Sequence, residues 1–449
     1  MPNEIHLAFD ISWTHLEGRW RLPGSWSGRT FPDLTLYKEI ASIAERGLID
    51  MLFFGDNTGI PNTWRGSPEE AIRWGIGFPR HDMSPVITVM SQVTKHIGFG
   101  LTYSSTYMHP FYTARLLNAL DHVTGGRMAF NVVASASKAA AENFGFDELM
   151  EHNSRYDRME EFMDVCQALW RSVAPDAFVW DKETGEVIKD PGKVREINHA
   201  GPFFKVKGPL NCVPSPQVSP VILQAGGSPR GIRASAHIAD HVFAAGKPLK
   251  LKMQHRKELD AELEAQGRDP RTVGVLWEVI TVIGETEAEA KRRRENMLTA
   301  IPFEGVGAFI SGSSGYDFSK LPARFTIRQL NDEIAAKNAS PVALLHKMAL
   351  AEDGVDDEMT REEFYERAVK IATGYDKVVA GTAAQIADFM EEEFEATGAR
   401  GGFMIEHLMT TPRDYLDVVD FLVPELQRRG RYKTAYKEGT LREKLAVAA

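Results

Sequence analysis

The chain has 449 residues, 43% hydrophobic and 25% charged, which excludes a disordered, fibrous or disulfide-stapled protein and leaves room for a large core. Its 52 Lys and Arg against 62 Asp and Glu give a net charge of −10, so a broad attraction to phosphate backbones is absent and nucleic acid is not an expected partner. Two cysteines, Cys166 and Cys212, are too few for a disulfide framework or a four-cysteine zinc site and suit a reducing compartment, the cytoplasm by default.

The opening MPNEIHLAFDIS carries acids and lacks the basic and long apolar regions of a signal peptide, and no run of eighteen apolar residues follows, so neither export nor a membrane is expected. Eight runs rich in Val, Ile, Phe and Leu then recur: Ile5–Ser12, Ile49–Asp56, Ile97–Ser104, Met128–Ser135, Pro220–Gly226, His241–Gly246, Val273–Gly284 and Gly402–Leu408. Near-continuous apolarity indicates strands buried on both faces, as in parallel sheets, and the segments between are long enough for crossover helices such as Leu34–Arg46 and Pro110–Asp121. Eight alternations make a TIM (β/α)8 barrel with insertions the expected fold, with an open doubly wound sheet as runner-up. The chain reads as a single domain, 1–449. Residues 181–219 are polar and turn-rich, a hairpin excursion, and residues 285–381 form a helical excursion placed to act as a lid.

Three strands end in polar residues that packing does not require: FFGD with Asp56, LTYSS with Ser104, and FNVVAS with Asn131 and Ser135. An unsatisfied amide inside such a run costs about 1–3 kcal/mol, so Asn131 needs a partner, either neighbouring backbone or a ligand at the barrel mouth. Asp56 also reads as a helix N-cap. After the fifth strand, QAGGSPRG brings Ser228 and Arg230 to a helix N-terminus, either an anion site or a plain loop. No Walker A loop, nucleophile elbow or close pair of metal-ligand histidines occurs, so no metal is expected. His15 and His407 follow the first and last strands, and Trp13, Trp20, Trp26, Trp64 and Trp74 cluster in the first eighty residues, as pocket walls or as packing.

Read together, HLEGRWR, LTYSSTYMHPFYTAR, LDHVTGGRMAFNVVAS, ENFGF, RYDRMEEF, GPLNCVPSPQ, VILQAGGSPRG and VPELQRRGRYKTAYKEGTLREKL make nearly the whole chain resemble the bacterial luciferase-like flavin-dependent monooxygenases. The resemblance is to the group acting on nitrilotriacetate, EDTA and dibenzothiophene sulfone. It implies a two-component enzyme that takes FMNH2 from a separate NAD(P)H:flavin reductase, reacts it with O2, and forms a homodimer or homotetramer. By that resemblance Phe54 and Asp56 lie beside the flavin, Ser104 and Asn131 bond its ring, and Ser135 sits near its reactive face. Tyr156, Ser228 and Arg230 contact phosphate and ribityl groups; His15 has an active-site role. Asp10, Trp13, Trp20, Phe243 and His407 line a substrate pocket. Asp10 replaces an apolar residue of the sulfone-cleaving relatives. The expected substrate is a small, largely apolar or heteroaromatic compound oxidised or cleaved at a carbon–heteroatom bond. The alternatives are an aminopolycarboxylate monooxygenase, a deazaflavin-dependent oxidoreductase, or a catalytically silent flavin-binding barrel.

Overall fold

The structure, a computed structural model, describes residues 4–12, 19–246, 248–298, 302–336, 356–372, 375–406 and 411–446. All eight apolar runs contain strands: β1 (His6–Asp10), β2 (Met51–Phe54), β3 (Gly98–Ser104), β4 (Met128–Val133), β5 (Val221–Ala225), β6 (His241–Ala244), β7 (Gly274–Ile283) and β8 (Gly401–Glu406). Each pairs in parallel with the next, and β8 pairs back onto β1 with His6 opposite Gly402 and Asp10 opposite Glu406. The sheet is therefore a closed eight-stranded barrel, and the open doubly wound alternative is ruled out by the β6–β7 and β8–β1 pairings. Closure requires close backbone approach at β8. A Cβ on Gly402 would lie 1.9 Å from the His6 carbonyl, and Gly401, at φ +94°, would collide with Val275.

Helices α1 (Thr35–Arg46), α2 (Met83–Ser91), α3 (Pro110–Thr124), α4 (His152–Trp170), α5 (Pro229–Ile238), α6 (Leu249–Ala265) and α7 (Ala383–Ala396) follow successive strands. Consecutive helical segments between Pro412 and Arg428 fill the eighth position. Sequence signals fix several ends: Asp82 caps α2 by accepting from Ser84 N, and Pro110 at N1 with left-handed Gly125 brackets α3. Strand alternation sends Leu7, Phe9, Leu52, Phe99, Leu101, Phe130 and Val132 outward, into the layer shared with the helices. Burying each such side chain contributes about 1.5–3 kcal/mol.

Residues His199–Ala200 and Lys205–Val206 form a short antiparallel pair after α4. Between β7 and α7 lie helices Glu287–Met297, Phe303–Ser314, Ile327–Ala336 and Arg361–Ala372, with strand Val378–Gly381 extending the sheet beside the far half of β7. These helices share a second apolar core with the segment after β2, centred on Trp64, Val306, Phe318, Phe364 and Tyr365. Glycine at 307 is what lets Trp64 in, because a Cβ there would lie 2.4 Å from the indole. Among the described residues, no helix is long and apolar enough to cross a membrane.

The base of the barrel is sealed by residues 431–446. Tyr432 and Tyr436 donate their hydroxyls to the carbonyls of Leu48 and Ile49 at 2.6 and 2.7 Å, and Leu441 N donates to Gly126 O at 2.8 Å. Lys433 pairs with Asp50 at 2.8 Å, and Arg442 donates to Pro220 O at 2.9 Å. Leu441 and Leu445 join the apolar cluster inside the barrel. Leu441→Ala is therefore expected to lower unfolding free energy by about 2–5 kcal/mol, as for other fully buried leucines. Urea unfolding checks this, and a loss below about 0.5 kcal/mol would show that the segment does not seal the barrel.

Candidate active site at the barrel mouth

The interior of the barrel changes character at one level. Ala8, Met51, Phe53, Ala129, Val221, Leu223, Leu276 and Met404 point inward and pack together below. Two residues further along their strands come Asp10, Asn131, Glu278 and Glu406, and Thr102 stands two beyond Gly100. A strand places residues i and i+2 on one face, so these five polar side chains form the next inward level, at the C-terminal end where barrel enzymes hold their sites.

On the β3–β4 side, Asn131 is 3% exposed and donates from Nδ2 to Thr102 Oγ1 at 2.9 Å, while its Oδ1 has no hydrogen-bond partner. Ser135 donates to Ser104 Oγ at 2.8 Å, and Ser104 Oγ also accepts from Thr106 N and Tyr107 N. Arg155 from α4 holds this segment by donating to Ser135 O at 2.8 Å. Asn131, Ser104 and Ser135 thus lie on one wall. Phe53 and Phe243 meet at a centroid distance of 5.3 Å. The phase of β2 makes Phe53 the inward residue. Phe54 lies in the strand–helix layer, as strand alternation requires. Asp56 caps no helix: it accepts from Asn57 N at 2.8 Å and lies 3.8 Å from Arg80, and burial raises its carboxyl above the ordinary range.

The QAGGSPRG turn opens α5. Ser228 is its N-cap, accepting from Gly231 N at 3.1 Å. Tyr156 reaches the same turn from α4: a Cβ on Gly231 would lie 3.0 Å from its hydroxyl, and one on Gly226 would lie 2.5 Å from Gly231 O. The two glycines leave a cradle with helix-terminal N–H groups at its edge. Arg230 does not extend its guanidinium into it. Asp157 and Glu160, nearly one turn apart on α4, hold that group at 2.7 Å each, over the Tyr156 ring, so Arg230 offers the turn its backbone N–H.

Trp20 is 42% exposed beside Gly75, Trp26 is buried against Tyr415, and Trp64 belongs to the second core, so these tryptophans pack or face solvent. Trp13, His15 and His407 lie outside the described residues. Sequence reading missed Glu278, Glu406 and Lys377. Glu278 interrupts the apolar run VLWEVITVI and Glu406 ends GGFMIE, the same signal that singled out Asn131.

The three carboxyls of β1, β7 and β8 differ in charge state. Asp10 is 7% exposed and accepts from Ser12 N at 2.8 Å and from the Ser12 hydroxyl, yet burial pushes it up to about 6. Burial also opposes ionisation of Glu278, but a hydrogen bond with Glu406, the Lys377 ammonium at 2.6 Å and Gly246 N at 2.8 Å bring it down to about 2. Burial and the Glu278 charge raise Glu406 well above the ordinary range. A raised acid such as Asp10 stabilises the fold below about pH 4, and that stability is lost as pH rises to about 6. Asp10→Asn is thus expected to gain, relative to the parent, on the order of 2 kcal/mol more at pH 8 than at pH 4. Urea unfolding at the two pH values checks it; an unchanged difference would show that Asp10 titrates normally.

Comparison with known proteins places the chain in a family. The family described as luciferase-like monooxygenase matches residues 17–401. The chain is 34% identical over 448 residues to the long-chain alkane monooxygenase of Geobacillus thermodenitrificans (strain NG80-2), covering 99% of this chain and 94% of that one. It is 35% identical over 448 residues to the dibenzothiophene-sulfone monooxygenase of Rhodococcus erythropolis (strain XP), covering 99% and 97%. Among solved structures, a riboflavin lyase with modified FMN and substrate riboflavin superposes at a TM-score of 0.87 with 27% identity, covering 98% of this chain and 95% of that one. Agreement of sequence along the whole length with a closed parallel barrel makes the chain a member of the luciferase-like monooxygenase family.

Proposed function

We propose that the protein is the oxygenase of a two-component system, using reduced FMN from a separate NAD(P)H:flavin reductase and O2 to oxidise or cleave a carbon–heteroatom bond in a small, largely apolar or heteroaromatic compound. The observation that carries this reading is the unpartnered, buried Asn131 Oδ1 on the same barrel rim as the Gly226–Gly231 cradle. An acceptor buried without a donor costs about 1–3 kcal/mol, and an N–H of a flavin ring would satisfy it. The glycine cradle fits a phosphate at the other end of such a molecule.

In this reading Ser228, the first N–H groups of α5 and the Tyr156 hydroxyl hold the phosphate. Asn131, Thr102, Ser104 and Ser135 bond the ring, and Phe53 with Phe243 gives it an apolar wall, Phe54 backing that wall from the helix layer. Asp56 lies beside the ring at the end of β2. Reduced FMN would supply the two electrons and the position at which dioxygen is activated, which is why no protein nucleophile is required. The residues' own tasks are to fix orientation and keep water out. The core centred on Trp64 ties the helical excursion to the segment after β2, and in this reading the two together serve as the cover that excludes water.

Anaerobic titration with reduced FMN tests the cofactor, and admission of oxygen with candidate substrates tests the reaction. Micromolar binding followed by substrate-dependent oxygen uptake is the expected outcome. Absence of reduced-FMN binding would sink the reading, and binding only of a deazaflavin, with hydride transfer and no oxygen uptake, would redirect it. Asn131→Ala is expected to weaken reduced-FMN binding about tenfold, the loss of one buried hydrogen bond of about 1.4 kcal/mol. Unchanged affinity in that variant would show that Oδ1 faces something else.

A further inference from the structure

Two consecutive residues of α4 reach the ends of two neighbouring strands. Tyr156 brings its hydroxyl beside Gly231 in the turn after β5, and Arg155 donates from Nη1 to Ser135 O, after β4, at 2.8 Å. Val132 is in register with Gln224, so Ser135 and Gly226 leave the sheet at nearly one level, on strands about 5 Å apart. The Arg155 guanidinium therefore lies on the β4 flank of the Gly226–Gly231 cradle.

Without that group the charge around the cradle is wrong for a phosphate. Ser228, the first N–H groups of α5 and the Tyr156 hydroxyl are neutral donors. The Arg230 guanidinium is held by two carboxylates, Asp157 and Glu160, so its side of the cradle carries an excess of negative charge, which repels an anion. Arg155 is the opposite case. It is 6% exposed, its Nε is buried without a partner, and among the described residues no carboxylate pairs with it. Glu151, one turn earlier on α4, gives its carboxylate to the helix end, where it accepts from Ser154 N at 2.8 Å. Arg158, one turn later, lies 4.3 Å from the centre of the Phe204 ring and donates to Thr106 O, away from the cradle. A guanidinium has five N–H groups, and the bond to Ser135 O uses one of them. Taking a cation out of water with no anion beside it is costly, and an anion that arrives with a ligand offsets that cost.

We propose that Arg155 is the cation that pairs with the phosphate of the bound flavin, so that the site selects the mononucleotide over uncharged riboflavin through one buried charge on α4 and not through the guanidinium of Arg230. The proposal rests on reading the mouth as a flavin site, and within that reading it names the residue that discriminates between the two flavins.

Anaerobic titration of the full chain with reduced FMN and with reduced riboflavin, followed by flavin absorbance, tests this without turnover. The parent protein is expected to bind FMN at least about tenfold more tightly than riboflavin. Arg155→Met is expected to weaken FMN binding about thirtyfold and riboflavin binding by less than about twofold, and Arg155→Lys, which keeps the charge, to recover most of the loss. Arg155 also holds Ser135, and a merely structural role would weaken both flavins alike, so equal losses overturn the proposal. A parent protein that binds the two flavins equally well overturns it too, whether or not Arg155→Met folds, and leaves the flavin reading standing. Failure of the parent to bind either flavin overturns that reading and this proposal with it.

Discussion

Strand alternation inside a closed barrel is the constraint on which the rest of this molecule depends. Every second side chain of eight strands is driven into a narrow interior, where an apolar group is stabilised and a polar group must find a partner. At the lower level the interior holds Ala8, Met51, Phe53, Ala129, Leu223, Leu276 and Met404, and it is packed like any other core. One step along, β1, β3, β4, β7 and β8 present Asp10, Thr102, Asn131, Glu278 and Glu406. That change of chemistry over two residues gives the barrel an apolar end and a polar end.

The polar level is costly, and the surrounding structure offsets part of the cost. Ser12 bonds Asp10, Thr102 bonds Asn131, and Lys377 with Gly246 bonds Glu278. Among the described residues of this level, the Asn131 amide oxygen on β4 is buried without a partner, and on β1, β7 and β8 three acids gather around Lys377. Groups kept in such a state are the usual mark of a site where function overrides stability.

Much of this was legible in the sequence, and the misses have physical causes. The strands were visible because parallel strands buried on both faces read as unbroken apolar runs, and a lone polar residue in such a run, Asn131, stood out for the same reason. Phe53 and Phe54 could not be told apart, since choosing the inward one needs the register of β2 against β1 and β3. The pairing of the Arg230 guanidinium with Asp157 and Glu160 was not readable, because those partners are some seventy residues away, on a helix whose acids look solvated in one dimension. Lys377 meets Glu278 across 99 residues, a pairing that no local pattern announces. Glu278 and Glu406 carried a readable signal; each is an acid set in an apolar strand.

The seal at the base of the barrel has a kinetic side. Tyr436 and Ile49 are 387 residues apart, Tyr432 and Leu48 are 384 apart, and Arg442 reaches Pro220 over 222. Contacts of such separation give no return until the chain between them has already collapsed into register, so topology makes this closure slow relative to the local strand–helix units. Until it happens, the lower rim exposes main-chain carbonyls and the apolar interior to other molecules, and the partly folded chain is at its most aggregation-prone at the end remote from its chemistry.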